Sequence, residues 1–144
     1  MDYTEKIKIS ANSFEKNMEI ITEISSFKKN WNGNLAKPFS KKLIRKVIDI
    51  VAVLKYQPEI FPTAADSIQL EYEGLNHSYL GIEINDSSVA TVFRVNQDGR
   101  EDRFDIYADS DEINKLVKEF YEYSMLPGVQ KMNRIYSVNE ERSE

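Results

Sequence analysis

Residues 67–107 read "SIQLEYEGLNHSYLGIEINDSSVATVFRVNQDGREDRFDIY". Ile68, Leu70 and Tyr72 alternate with Gln69, Glu71 and Glu73, the period of a strand with one buried and one wet face. "EGLNHS" is a turn, and Leu80, Ile82 and Ile84 then alternate with Gly81 and Glu83. "NDSS" is the next turn. Val89 to Val95 is apolar on both sides except at Thr91 and Arg94, which suits a central strand. Asp98–Gly99 signals a hairpin, and Phe104 and Ile106 complete a fourth strand. The stretch predicts an antiparallel meander of about four strands.

Helical periodicity flanks the meander. Asn12 is the expected N-cap of a first helix, with Glu15 three residues on as in a capping box. Phe14, Met18, Ile21 and Ile24 recur at helical spacing, Phe27 closes the stripe, and the helix should fade near Lys29. Ser40 is the expected N-cap of a second helix. Its face is Leu43, Val47, Ile50, Val51 and Leu54, widened by Ile44 and Ile48. Pro58 and Pro62 exclude a continued helix, so "YQPEIFPTAADS" (56–67) reads as a loop tucked on the core by Ile60 and Phe61. After the meander, Asp109 can cap a third helix, with Glu112 at the reciprocal position. Ile113, Leu116, Val117, Phe120 and Tyr121 form its stripe, and Pro127–Gly128 ends it. Ile7 and Ile9 suit an edge strand. The expected fold is α+β: two N-terminal helices and one C-terminal helix packed on an antiparallel sheet. Residues 1–128 form a single domain. Residues 129–144 form a polar tail, with Met132, Ile135 and Tyr136 as docking residues.

Composition narrows the chemistry. The 144 residues are 41% hydrophobic and 30% charged, which fits one globular domain. With no cysteine, disulfides, thiolate nucleophiles and cysteine metal sites are excluded. "MDYTEKIKIS" has no apolar leader core, and "VIDIVAVL" is too short to span a bilayer, so a cytoplasmic location without membrane contact is expected. The net charge of −5 argues against general nucleic-acid affinity. The charge is unevenly spread. Residues 28–55 hold eight basic residues and one acid, whereas residues 56–125 hold fifteen acids and five bases. Either the two regions neutralise each other inside the fold, or one pole steers a charged partner.

Between the first two helices lies "KNWNGNLAKPFS", residues 29–40. Asn32, Gly33 and Asn34 favour positive backbone angles, as a helix–helix corner needs. Trp31, with Ala36 and Phe39, would lock that corner by packing. The competing reading is an exposed Trp31 anchor in an interface, with Lys37 beside it. "NWNGNLAKPFSKKLIRKVIDIV", followed by "QPEIFPTAADSIQLEYE", resembles a recurrent group of small bacterial and phage proteins. These share a W-[DN]-G-x-x-A-x-P corner and an S-I-x-L-E-[WY] strand. The matching residues include Trp31, Asn32, Gly33, Ala36, Pro38, Ser67, Ile68, Leu70, Glu71 and Tyr72. The resemblance covers residues 30–73. It implies a fold outline and an accessory role beside a toxin or defence system, and it supplies no catalytic residues.

Catalytic signatures do not emerge. His77 is the only histidine and sits in a turn, so no Ser–His–Asp triad is built around it. Walker, zincin, nucleophile-elbow and dinucleotide motifs are missing. Glu71, Glu73 and Glu83 fall on the polar side of neighbouring strands. Such a group either is a solvated face or holds Mg²⁺ as part of a hydrolase. The expectation is a non-enzymatic protein without cofactor or metal that binds and modulates another protein with a basic surface, such as an inhibitor of a host defence nuclease or an antitoxin-like factor. The expected contact residues are Glu71, Glu73, Glu83, Asp102, Asp105, Asp109 and Asp111. The alternative is a pocket for an anionic or nucleotide-like ligand between the corner and the Pro segment, using Trp31, Asn32, Lys37 and Lys41. A homodimer paired through Ile7 to Ile9 is a further expected form.

Overall fold

The computed structural model describes residues 12–125, with side chains described to residue 122. The expected strand at Ile7 and Ile9, the stop at Pro127–Gly128 and the tail with Met132, Ile135 and Tyr136 lie outside the described residues. Among the described residues three α-helices and five strands follow in order. Helix α1 is Phe14–Ser25 and α2 is Lys41–Val51. The strands are β1 Glu59–Thr63, β2 Ser67–Glu73, β3 Tyr79–Ile84, β4 Val89–Val95 and β5 Glu101–Tyr107, and α3 is Ser110–Met125. The sheet is an antiparallel meander in the order β1-β2-β3-β4-β5. The fold is α+β.

The fifth strand is β1, which falls in the segment expected to be a loop. Glu59–Thr63 pairs antiparallel with Ser67–Glu71, and Pro62 lies opposite Ile68. Proline has no N–H to give a ladder, but an edge strand has one side without a ladder, so Pro62 is tolerated there. Ile60 is buried as expected, whereas Phe61 points to the opposite face and is 43% exposed. The central strand is β3 rather than β4. Gly81 concealed this, because a glycine on the wet side gives no apolar signal. Leu80, Gly81, Ile82 and Ile84 are all buried.

One core joins the helices to one face of the sheet. Ile68, Leu70, Tyr72, Leu80, Ile82, Ile84, Ala90 and Val92 point into it from the strands. From the helices come Ile21 and Ile24, then Leu43, Val47 and Val51, then Ile113, Leu116, Val117, Phe120 and Tyr121. Each fully buried Leu or Ile contributes about 1.5–3 kcal/mol relative to an exposed one. The first stripe is narrower than its periodicity implied. Phe14 is exposed, and Met18 and Phe27 are only partly buried.

The helix ends show which local signals hold. Ser40 caps α2, its Oγ accepting from the Leu43 N–H at 3.0 Å. Asp109 caps α3, accepting from the Glu112 N–H at 2.8 Å. The cap of α1 is Ser13, not Asn12: Ser13 Oγ accepts from the Lys16 N–H at 3.0 Å. Asn12 instead donates to Asn17 Oδ1. Asn17 is fully buried and donates to Gln57 Oε1 at 3.0 Å and to the Pro58 carbonyl at 2.9 Å. Gln57 Nε2 in turn donates to the carbonyls of Val51 and Leu54, satisfying the end of α2. This polar chain ties the start of α1, the end of α2 and the entry to β1 together. α1 itself stops at Ser25, capped by Ser26, before Lys29 is reached.

Candidate interaction surface

The helices leave one face of the sheet uncovered among the described residues. Strand alternation decides what it carries. Register places Glu59, Glu71, Gly81, Phe93 and Arg103 in one row across the five strands. The next row is Phe61, Gln69, Glu83, Thr91 and Asp105. Glu73, Tyr79, Val95 and Glu101 make a third. Four glutamates therefore gather on β1–β3.

Two of them are anchored. Tyr79 Oη donates to Glu71 Oε1 at 2.5 Å and accepts from Gln69 Nε2 at 2.8 Å. To do so the Tyr79 ring lies across Gly81. A Cβ there would stand 2.6 Å from the Tyr79 oxygen, so the glycine is required by this close approach. Burial, together with the charged Glu71 that takes its hydrogen bond, raises the Tyr79 hydroxyl pKa, so it stays a proton donor at neutral pH. Glu83 Oε2 accepts from Ser67 Oγ at 3.0 Å. Phe93 extends the aromatic part of the face, with ring centres of Tyr79 and Phe93 6.1 Å apart. The Arg103 guanidinium lies 5.2 Å over Phe93.

Glu59 is the glutamate that sequence reasoning missed, because its strand was read as a loop. The alternation of Glu59, Ile60 and Phe61 was the available signal. It stands directly opposite Glu71. Burial raises its pKa first, and the charges of Glu73 and Glu71 raise it further. Like charges placed opposite each other cost sheet stability. A local choice that opposes folding without a structural gain is typical of a functional surface.

The expected contact acids separate into three groups. Glu71, Glu73, Glu83 and Asp105 do share the open face. Asp102 does not: it points to the helix side, where Arg94 Nη2 meets it at 2.5 Å. Asp109 caps α3, and Asp111 is exposed in the first turn of that helix. The open glutamates do not form a metal centre. Glu83 faces Gln69 rather than Glu71, and no cluster of three Asp, Glu or His among the described residues can hold a metal ion.

The corner is built as a packed joint. The Trp31 ring lies 5.1 Å from Phe27 and 5.6 Å from Phe39, and its Nε1–H donates to the Lys37 carbonyl at 2.9 Å. Asn32 Oδ1 accepts from the backbone N–H groups of Asn34 and Ala36. The positive φ angles fall at Asn30, Gly33 and Leu35, not at Asn32 or Asn34. Asn30 suits this because its Oδ1 accepts from the Leu35 N–H, closing the loop on itself. The corner and Pro58 lie at opposite ends of α1. Asn17 meets Pro58 in the first turn of α1, while Phe27 meets Trp31 beyond its end, about 15 Å along the axis. Lys37 and Lys41 are exposed.

The basic segment touches the acidic one at the β3–β4 turn but makes no ion pair with the open-face acids among the described residues. Lys46 Nζ is used on the β3–β4 turn, donating to the carbonyls of Asn85 and Ser87. Asp86 from that turn accepts from Ser40 Oγ at 3.3 Å, setting a carboxylate at the positive end of α2. Lys41, Lys42 and Arg45 remain exposed. The ion pairs among the described residues, Arg94–Asp102 and Lys118–Glu122, both lie within the acidic half of the chain. His77 is an exposed turn residue with φ of 63°. No helix among the described residues is long and apolar enough to cross a membrane. No family model, no curated protein and no solved structure matches the chain.

Proposed function

We propose that this protein acts by binding another protein through the open face of its sheet, and that it modulates that partner without catalysing a reaction. The observation that carries this reading is the set of four glutamates on β1–β3, two facing each other across the ladder, beside the half-buried rings of Tyr79 and Phe93. Charge accelerates encounter with a basic partner, and aromatic rings supply the desolvated anchors. Because the bases of α2 leave these acids unneutralised, the acidic field stays available to a partner. A nucleic-acid enzyme has a basic channel of the matching sign, so an inhibitor of such an enzyme, borne by a mobile element or phage, is the specific form of the proposal. An antitoxin-like factor would use the same surface. The contact set is revised to Glu59, Glu71, Glu73, Glu83, Tyr79 and Phe93.

The test is capture from the native or infected cell, followed by titration of the purified partner. The expected partner is released by rising salt and loses at least tenfold affinity for Glu71→Lys/Glu73→Lys/Glu83→Lys, whose fold is checked by circular dichroism. Equal affinity of the folded triple variant would remove the open face from the binding reaction.

A further inference from the structure

We infer that two copies of this chain pair through the free edges of their β5 strands, antiparallel about Phe104, to make one continuous ten-stranded sheet. The sheet ends in two unlike edges. β1 is five residues long and contains Pro62, which blunts it. β5 is seven residues long, contains neither proline nor glycine, and pairs only with β4 among the described residues. The ladder fixes which of its groups are free. Asn96 N–H donates to the Arg100 carbonyl and Ala108 N–H to the Ser88 carbonyl, so the bonded pairs with β4 are those of Asp102, Phe104 and Ile106. The amides of Glu101, Arg103, Asp105 and Tyr107 therefore point to the open edge.

Charge then selects one register. With Phe104 opposite itself, Arg103 stands opposite Asp105 of the second copy, twice by symmetry, and Glu101 stands opposite Tyr107. Sliding by two residues in one direction sets Arg103 against Arg103 and Glu101 against Asp105. Sliding the other way sets Asp105 against Asp105. Opposite charges across a strand pair stabilise and like charges destabilise, so of these three registers only the first is self-complementary; a slide of four sets Glu101 against Arg103 but also Asp102 against Asp102, and overlaps over three residues instead of seven. The first register also satisfies the ladder, because the residues that face each other there are those whose amides point outward. Asp105 has no ion pair among the described residues, and Arg103 is held on the open face by its contact with Phe93. Tyr107, 68% exposed, gains a neighbour. The contact is isologous, so it closes at two copies rather than growing into a filament.

Sedimentation equilibrium of the full chain over a wide concentration range tests this. The expected species has twice the 16.7 kDa chain mass. Arg103→Asp alone and Asp105→Arg alone should each weaken association about tenfold or more, and the double exchange should restore it. Hydrogen exchange gives a second readout. In the dimer the amides of Arg103 and Asp105 are protected, and in either single variant they exchange freely while those of Phe104 and Ile106 stay protected. A monomer at hundreds of micromolar would overturn the inference. So would a dimer indifferent to the single reversals, or a double exchange that fails to recover it.

Discussion

The two faces of the sheet follow the same two-residue alternation and are built on opposite principles. On the helix side, Leu70, Leu80, Ile82 and Val92 are fully buried in one apolar core, and the Arg94–Asp102 pair at its β4–β5 margin is internally neutralised. On the open side, Glu59 faces Glu71, a tyrosine folds over a glycine, and an arginine rides on a phenylalanine. The first face follows the rules of folding. The second breaks one of them, and does so where no described helix covers it. The difference separates the residues that hold the domain together from those offered to a partner.

Substitutions on opposite faces of one strand break this comparison most sharply. Leu70→Ala should cost about 2–5 kcal/mol in urea unfolding. Glu73→Lys, three residues along on the open face, should change stability by less than about 0.5 kcal/mol. Similar costs at the two positions would mean that the open face is covered after all. Asn17 comes next. Asn17→Ala removes a buried donor from Gln57 and the Pro58 carbonyl and should cost about 1–3 kcal/mol by the same assay. Trp31→Phe keeps a ring between Phe27 and Phe39 but loses the bond to the Lys37 carbonyl. A loss of about 1 kcal/mol is expected, with no effect on partner affinity.

The smallest effect carries a sign. Burial and two like charges raise the Glu59 pKa in the folded state. At low pH its carboxyl is protonated folded or unfolded and contributes nothing to the pH dependence. As pH rises through the carboxylate range the unfolded chain ionises first, so stability falls until the folded carboxyl ionises too. Glu59→Gln should flatten that fall and leave the domain slightly more stable at neutral pH, as followed by thermal unfolding at several pH values. A variant less stable at neutral pH would show Glu59 to be a structural residue.

Much of this contrast was legible in the chain. Strands with a strict apolar–polar alternation, such as Ser67–Glu73, and stripes such as Ile113 to Tyr121 declare both their type and their buried side. β1 was hidden because Pro62 reads as a breaker, and only its edge position makes it tolerable. The place of β3 at the centre was hidden because Gly81 is covered by Tyr79, a contact between residues whose sequence pattern shows only an alternation. The acids of the surface were harder still. Asp102 and Asp105 are three apart and lie on opposite faces, one held by Arg94 and the other open. Composition counts both alike. Asn17, a polar residue inside an apolar stripe, marks the junction of α1 with β1 and carries no signal of its own until Gln57 and Pro58 are seen beside it.

The measurement that tests the account most directly sets the two charged poles against each other. Affinity for the captured, purified partner is determined by titration for two variants: one with Glu71, Glu73 and Glu83 changed to Lys, the other with Lys41, Lys42 and Arg45 changed to Glu. The open-face variant should lose at least tenfold affinity, and the α2 variant should bind as the wild type does. The reverse pattern, with binding lost on the helix side and kept on the sheet side, would contradict the account and move the partner to the basic pole.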